Sequence, residues 1–160
     1  GGMGMGELGG WELKCGSEVD LIYCYDTDSG QVGGGLEVTG HDYVTRLVRL
    51  ATKALSQVTE HGFVFRVDLR LRPEGSQGPL ANSLASAERY YSTFGRTWER
   101  GALLRGRPVA GDPAFGEVVV DALRPFVFRR SVDPSIAAEM HGLTRRSRRD
   151  LAVDDARNVK

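Results

Sequence analysis

The sequence predicts an α+β fold, with a mixed sheet and flanking helices over residues 1–82 and a helical subdomain over residues 83–160. Two segments in the first half have strand character, residues 18–25 (EVDLIYCY) and residues 63–73 (FVFRVDLRLRP). A stretch with apolar residues at helical spacing separates them, and from Leu84 onward the patterns are helical. A chain of 160 residues with 41% hydrophobic residues is long enough to build one domain with a core.

The two predicted strands differ in pattern. Residues 18–25 are rich in β-branched and aromatic side chains, which is typical of a buried strand. Residues 63–73 alternate strictly, which predicts one apolar face and one charged face. The predicted core face comprises Phe63, Phe65, Val67, Leu69 and Leu71, and the opposite face comprises Arg66, Asp68, Arg70 and Arg72.

The helical predictions rest on spacing and on capping residues. The first helix is predicted from an apolar stripe formed by Tyr43, Leu47, Leu50, Ala54 and Val58. Two more helices are predicted at about residues 86–94 and 97–105. The pairs at 112–113 and 133–134 are both Asp-Pro, an N-cap followed by proline at the first helical position.

Composition excludes several classes of function. The formal net charge is zero, with 21 basic and 21 acidic side chains, which argues against a general nucleic-acid binder. The basic run at residues 145–149 is interpreted as a solvated helix face in preference to a phosphate site. No apolar run approaches the roughly 20 residues that cross a bilayer, so no membrane segment is expected. Cys15 and Cys24 are expected to be free thiols in a reducing cytoplasm, the alternative being a disulfide.

Three carboxylates point to metal chemistry. Glu18 and Asp20 face the same side of the first strand, and Asp68 would meet them if the two predicted strands are neighbours. Oxygen ligands of this kind suit two Mg²⁺ ions that clamp a phosphoryl transfer, with Arg70 and Arg72 neutralising phosphate oxygens. The alternative is that Asp68 only pairs with Arg70 or Arg66 on an exposed sheet face.

The glycine-rich opening allows three interpretations. Residues 4–9 match the dinucleotide fingerprint G-x-G-x-x-G, which must follow a strand and open a helix within a βαβ unit. The first residues could instead be a cloning remnant. In the third interpretation Gly9 and Gly10 form a turn whose backbone amides reach a triphosphate beside Glu18 and Asp20.

The combination of Gly-Gly, a short spacer, Ser-acid-x-acid on a strand and a later strand acid resembles the nucleotidyltransferase superfamily that includes DNA polymerase β. More narrowly, nearly the whole chain is similar to the glutamine synthetase adenylyltransferase family. The resemblance rests on segments in matching order: residues 4–10 (GMGELGG), 16–22 (GSEVDLI), 67–73 (VDLRLRP), 78–80 (GPL), 98–100 (WER) and 107–112 (RPVAGD).

The resemblance implies a nucleotidyltransferase-type sheet and a set of site residues. Glu18, Asp20 and Asp68 would be the catalytic metal carboxylates for Mg²⁺ or Mn²⁺. The residues that would approach phosphates or other anionic groups are Gly9, Gly10, Ser17, Arg70 and Arg72. The sequence departs from the family pattern at two positions, with Glu18 where aspartate is usual and Glu7 where lysine is usual.

The family carries two similar catalytic halves, and residues 125–130 (PFVFRR), after residues 98–100, resemble the half that removes AMP. That activity transfers AMP from a tyrosine of glutamine synthetase to inorganic phosphate and releases ADP. Two alternatives stay open: forward adenylylation from ATP, and a nucleotide-sensing or docking module for glutamine synthetase or a PII-type signalling protein. The closing Asn158-Val159-Lys160 fits a fragment of a longer cytoplasmic protein.

Overall fold

The computed structural model describes residues 1–26 and 38–128. Residues Gly1–Val127 form one compact unit. Its elements, in chain order, are β1 (Gly2–Gly4), α1 (Gly6–Gly9), β2 (Glu18–Tyr25), α2 (Gly40–Ser56), β3 (Arg66–Asp68), a 3-10 turn (Gly75–Gln77), β4 (Ala81–Ser83), α3 (Leu84–Thr93), α4 (Thr97–Leu103), β5 (Arg107–Ala110) and α5 (Pro113–Val127).

The sheet is mixed and has five strands in the described residues. Its main path runs β3-β2-β1-β5, and β4 pairs with β2 off this path. β1 is antiparallel to both β2 and β5, whereas β3 and β4 are parallel to β2. β3 pairs with the first half of β2 and β4 with its second half, so one edge of β2 carries two short parallel strands in succession. The predicted α+β class with a mixed sheet and flanking helices is confirmed.

The glycine-rich opening is an integral part of this sheet. Residues 2–4 form β1, and Met3 and Met5 are buried in the core. A cloning remnant would have no such packing, so that interpretation is wrong. A strand does precede α1, but β1 is antiparallel to β2, so these elements do not form the parallel βαβ unit that a dinucleotide fingerprint requires.

The predicted strand at residues 63–73 is shortened to β3, residues 66–68. Before it, Phe65 N donates to Leu55 O at the end of α2, and Phe63 and Val64 are exposed. After it, the Asp68 carboxylate accepts from Arg70 N at 2.7 Å, which turns the backbone away from the ladder. The strict alternation therefore predicted a longer strand than the one observed, because local hydrogen bonds compete with sheet pairing at both ends of β3.

The predicted helices are present in the described residues, with ends shifted by a few positions. The first turns of α2 and α3 are capped by side chains: Thr39 Oγ1 accepts from Asp42 N at 3.1 Å, and Ser83 Oγ accepts from Ser86 N at 3.3 Å. Asp112 caps α5 by accepting from Ala114 N at 2.9 Å, as the Asp-Pro pair predicts. The second Asp-Pro pair and the basic run at residues 145–149 lie outside the described residues.

The apolar stripe of α2 is mostly exposed to solvent. Val48 is the buried residue of this helix, whereas Tyr43, Leu47 and Leu50 are about half or more exposed. α2 lies against β3 and β4, two strands of three residues each, which are too short to cover its whole apolar face. The pattern predicted the helix correctly but not which part of its surface is buried.

The core lies between the sheet and α3, α4 and α5. Met5, Ile22, Tyr91, Val119 and Phe126 are among its fully or almost fully buried residues. Glu99 is a buried acid within this helical layer. Its carboxylate accepts hydrogen bonds from Tyr90 Oη at 2.9 Å and from Arg96 N at 2.7 Å, which links α3 to the start of α4.

The helices after residue 82 therefore complete the same core as the sheet, while the predicted division at residue 82 stays a prediction. Among the residues described, no helix is long and apolar enough to cross a membrane. Cys15 and Cys24 are both free thiols, as predicted.

Candidate nucleotide and metal site

The two acid-bearing strands are hydrogen-bonded neighbours. β2 and β3 run parallel with Glu18 opposite Arg66, Val19 opposite Val67 and Asp20 opposite Asp68. Directly paired residues project to the same face of a sheet, so Asp20 and Asp68 lie side by side. Glu18 shares that face because it is two residues before Asp20. The sequence-based site required these two strands to be neighbours, and they are.

Asp20 is half-buried among like charges. Burial, together with the carboxylates of Asp68 and Glu18, raises the pKa of Asp20 to about 6, and Glu7 adds to the effect. Arg70 opposes this shift without cancelling it. The raised pKa of Asp20 thus reflects burial first and the neighbouring carboxylates second.

Arg70 is committed to Asp68. Its Nε donates to Asp68 Oδ2 at 2.7 Å, its Nη2 forms an ion pair with the same oxygen, and its backbone N donates to Oδ1. The side-chain hydrogen bond from Arg70 lowers the pKa of Asp68, so this carboxylate stays charged. The ion pair between Asp68 and Arg70, which was the sequence-based alternative to a metal site, is therefore present. It leaves Arg70 largely exposed beside the acids, where a phosphate could also reach it.

The glycine-rich helix α1 contacts the acid strand at two points. Gly6 has φ +53°, and a Cβ at this position would lie 2.5 Å from Asp20 Oδ2. Just before the strand, Ser17 Oγ donates a hydrogen bond to Glu7 Oε2. The left-handed backbone favours glycine at position 6, and any other side chain there would also displace the Asp20 carboxylate.

Gly9 and Gly10 differ from the predicted phosphate-binding turn. Gly9 N donates to Met5 O at 2.9 Å and Gly10 N to Gly6 O at 3.1 Å, so both amides are used within α1. A Cβ on Gly9 would overlap Arg105 O, in the segment just before β5. Close packing of α1 against this segment therefore explains the glycine. Phosphate binding by Gly9, Gly10 and Ser17 stays a prediction.

Arg72 is buried and holds the loop that follows β3. Its Nε donates to Gly78 O and Pro79 O, its Nη1 to Leu69 O at 2.7 Å, and its Nη2 to Ser76 O. Burial lowers its pKa. These contacts give Arg72 a structural role, and its predicted role in binding anions stays a prediction.

Replacing Arg72 by alanine should lower the free energy of unfolding by about 2–4 kcal/mol, because a buried side chain is removed and four carbonyl groups lose a charged donor together. Urea denaturation would measure this loss. Arg89→Ala is the matched control, since Arg89 is exposed on α3, and it should change the value by less than about 0.5 kcal/mol. Equal stabilities of the two variants would contradict the structural role.

Sequence reasoning missed Arg107. Its Nε donates to Gly9 O at 3.1 Å and its Nη2 to Leu8 O at 3.0 Å, which ties β5 to the end of α1. Its guanidinium also stacks 3.6 Å from the centre of the Trp11 ring. These contacts join residues nearly a hundred positions apart, so no local pattern could reveal them.

The donor set suits a hard divalent cation. Carboxylates share one sheet face, and the raised pKa of Asp20 marks charge that a cation would neutralise. In the part of the chain that the structure describes, no three His, Cys, Asp or Glu side chains are grouped closely enough to hold an ion as they stand. The paired aspartates thus have the donor chemistry of a divalent-cation site without a complete ligand cluster, and the metal assignment of Glu18, Asp20 and Asp68 stays a proposal.

The mixed sheet, its flanking helices and the paired aspartates define a domain of the nucleotidyltransferase type. A family model described as "Glutamate-ammonia ligase adenylyltransferase" matches residues 3–121, which is most of the chain. The chain belongs to this family.

Curated relatives agree with this assignment. A protein of Ralstonia nicotianae is 44% identical over 155 residues, which is 94% of this chain and 16% of that protein. A protein of Pseudomonas aeruginosa is 47% identical over 131 residues, 82% of this chain and 13% of that protein. Both are named "Bifunctional glutamine synthetase adenylyltransferase/adenylyl-removing enzyme". The chain spans about one sixth or less of the length of these relatives.

Proposed function

We propose that this chain is a catalytic domain that removes AMP from an adenylylated tyrosine of glutamine synthetase, using inorganic phosphate and releasing ADP. The observation that carries the proposal is the pairing of Asp20 with Asp68 on neighbouring parallel strands, next to the glycine-rich helix α1. The names of the relatives include both adenylyl transfer and adenylyl removal. The resemblance of residues 98–100 and 125–130 to the adenylyl-removing half favours removal.

The reaction exchanges one phosphorus–oxygen bond for another. An oxygen of inorganic phosphate attacks the phosphorus of the AMP–tyrosine ester in line with the tyrosine oxygen, which leaves and takes up a proton. The products are ADP and the free tyrosine. No covalent enzyme intermediate is needed, because positioning and charge neutralisation provide most of the acceleration.

The chain's own residues would divide this work. Asp20 and Asp68, with Glu18 turned toward them, would hold Mg²⁺ or Mn²⁺. The bound cation supplies charge neutralisation at the phosphoryl oxygens and at the leaving oxygen. Arg70 keeps Asp68 ionised and has an exposed guanidinium that could orient a phosphate. Gly6 leaves the Asp20 carboxylate free of any side chain on that side.

Phosphate-dependent release of ADP tests the proposal. The chain is incubated with adenylylated glutamine synthetase, Mg²⁺ or Mn²⁺ and radiolabelled inorganic phosphate, and labelled ADP is measured. We expect label in ADP that depends on phosphate and on the metal. Asp121→Asn, an exposed acid of α5 paired with Arg124, serves as a control that should keep the activity.

The same assay, run in parallel with ATP and unmodified glutamine synthetase, separates the two alternatives. Forward adenylylation would consume ATP and give no label in ADP, whereas a docking module would bind glutamine synthetase and catalyse neither reaction. Either result would contradict the proposal. A PII-type signalling protein as second partner, and a cytoplasmic location, are proposed on the family resemblance alone.

A further inference from the structure

Trp11 is a large aromatic side chain in an unusual position. It is 81% exposed, although burial of a tryptophan normally contributes more to stability than burial of almost any other residue. Its backbone is left-handed, with φ 61°, a conformation that is unfavourable for a bulky residue. The structure thus accepts two costs at this residue, which points to a role outside folding.

One face of the ring is covered by a fixed cation. The Arg107 guanidinium lies 3.6 Å from the ring centre, within the range of a cation–π contact. Arg107 is itself held by the carbonyl groups of Leu8 and Gly9. On the other side of Trp11 along the chain, Glu12 N donates to Glu7 O, and the Glu12 carboxylate pairs with Arg105 at 2.8 Å. The ring is therefore positioned before any ligand arrives, with its second face open.

The platform is part of the same segment that borders the acids. Trp11 directly follows Gly9 and Gly10, and Trp11 N donates to Leu8 O in the last turn of α1. The first residue of that short helix, Gly6, lies against the Asp20 carboxylate. Because α1 is only four residues long, one short segment connects the acid site to the tryptophan.

We propose that the open face of Trp11 stacks on the adenine base of the nucleotide, with Arg107 as the positioning residue that holds the ring from behind. The inference rests on the proposed function, which places a nucleotide at Asp20 and Asp68. Stacking on an aromatic face tolerates any base, so this contact contributes affinity for the nucleoside part and leaves the phosphates to the acid site.

The test compares a ligand that has a base with one that lacks it. In a Trp98→Phe background Trp11 is the remaining tryptophan of the chain, so its fluorescence reports on this position alone. ADP and pyrophosphate are titrated with Mg²⁺ or Mn²⁺, and affinities are measured by calorimetry. We expect ADP to quench Trp11 fluorescence and pyrophosphate to leave it nearly unchanged.

Trp11→Ala in the same background should lower the affinity for ADP about 5- to 150-fold and change the affinity for pyrophosphate by less than about twofold. Trp11→Phe should restore most of the loss, because a smaller aromatic face remains. The ring is mostly exposed, and an exposed cation–π contact such as the one with Arg107 contributes little stability, so these variants should unfold within a few degrees of the parent.

ADP affinity within twofold of the parent in Trp11→Ala, with pyrophosphate still bound, would overturn the platform and leave the proposed function standing. If neither ADP nor pyrophosphate binds in the presence of metal, both proposals fail together. If Trp11→Ala weakens binding of adenylylated glutamine synthetase but not of ADP, the ring contacts the protein substrate, and the stacking proposal is wrong.

Discussion

Asp20→Asn should make the protein more stable and inactive at the same time. Asparagine keeps the shape of the side chain but removes the negative charge that burial and the neighbouring Asp68 and Glu18 disfavour. At pH 7.5 we expect the free energy of unfolding to rise by about 1 kcal/mol, after allowance for solvent screening at a half-buried group. We expect phosphate-dependent ADP release to fall by about 10²–10³-fold, because the proposed cation loses one of its charged ligands and with it the charge neutralisation at the phosphoryl oxygens.

The gain in stability should depend on pH with a defined sign. The pKa of Asp20 is about 6 in the folded chain, above the ordinary value of 3.8, so the folded state holds the proton more tightly than the unfolded state. The stabilisation from this proton is complete below pH 3.8 and is lost as pH rises through 6. Asp20→Asn should therefore exceed the parent in stability above pH 6 and lose this advantage as pH falls toward 4.

Urea unfolding at a series of pH values, alongside the ADP assay, would check both halves of this prediction. Asp121→Asn is the matched control, because the same substitution on an exposed acid should change neither quantity by much. A parent-like ADP rate in Asp20→Asn, or a loss of stability at pH 7.5, would contradict the assignment of Asp20 as the uncompensated acid of the site.

Gly9→Ala should be strongly destabilising, whereas Gly10→Ala should be tolerated. A Cβ on Gly9 would overlap Arg105 O and lie 2.7 Å from Gly4 O, and both atoms belong to the backbone and cannot turn aside. We expect the free energy of unfolding to fall by about 3 kcal/mol or more. Differential scanning calorimetry would measure the change.

Gly10 provides a control one residue away. Its φ is −82°, which alanine adopts readily, and its nearest atoms to a new Cβ are 3.4 Å or more away. Gly10→Ala should therefore change stability by less than about 0.5 kcal/mol. If the two substitutions cost the same, the close contact between α1 and the chain before β5 is not as described.

Much of the fold follows from local patterns, and the parts that do not are short. β2 and the helices α2 to α5 are long enough to express a period or a cap, so sequence alone predicts them. β1, β4 and β5 are strands of three or four residues, and β1 consists of Gly2, Met3 and Gly4, which carry no alternation. Their strand conformation comes from pairing partners far away in the chain, which a local pattern cannot contain.

The candidate site also has features that the sequence predicts and features that it does not. The neighbourhood of Asp20 and Asp68 could be predicted, because two acids on adjacent strands need only the right pairing. The burial of Arg72 could not, since its alternation with Asp68 and Arg70 predicts the same exposed face for all three. The stacking of Arg107 on Trp11 depends on β5 reaching α1, a tertiary contact without a sequence signature.

The position of β1 between β2 and β5 affects how the protein is assembled and how it can be shortened. One edge of β1 pairs with Leu21 to Tyr23 of β2. Its other edge pairs with residues 107–110, which are synthesised about a hundred residues later. Closing so long a loop is a slow step in folding. Until it closes, or in any fragment cut before Arg107, one margin of β1 has unpaired backbone groups that can recruit another molecule. Truncated versions of this domain should accordingly retain β5 to keep both edges of β1 paired.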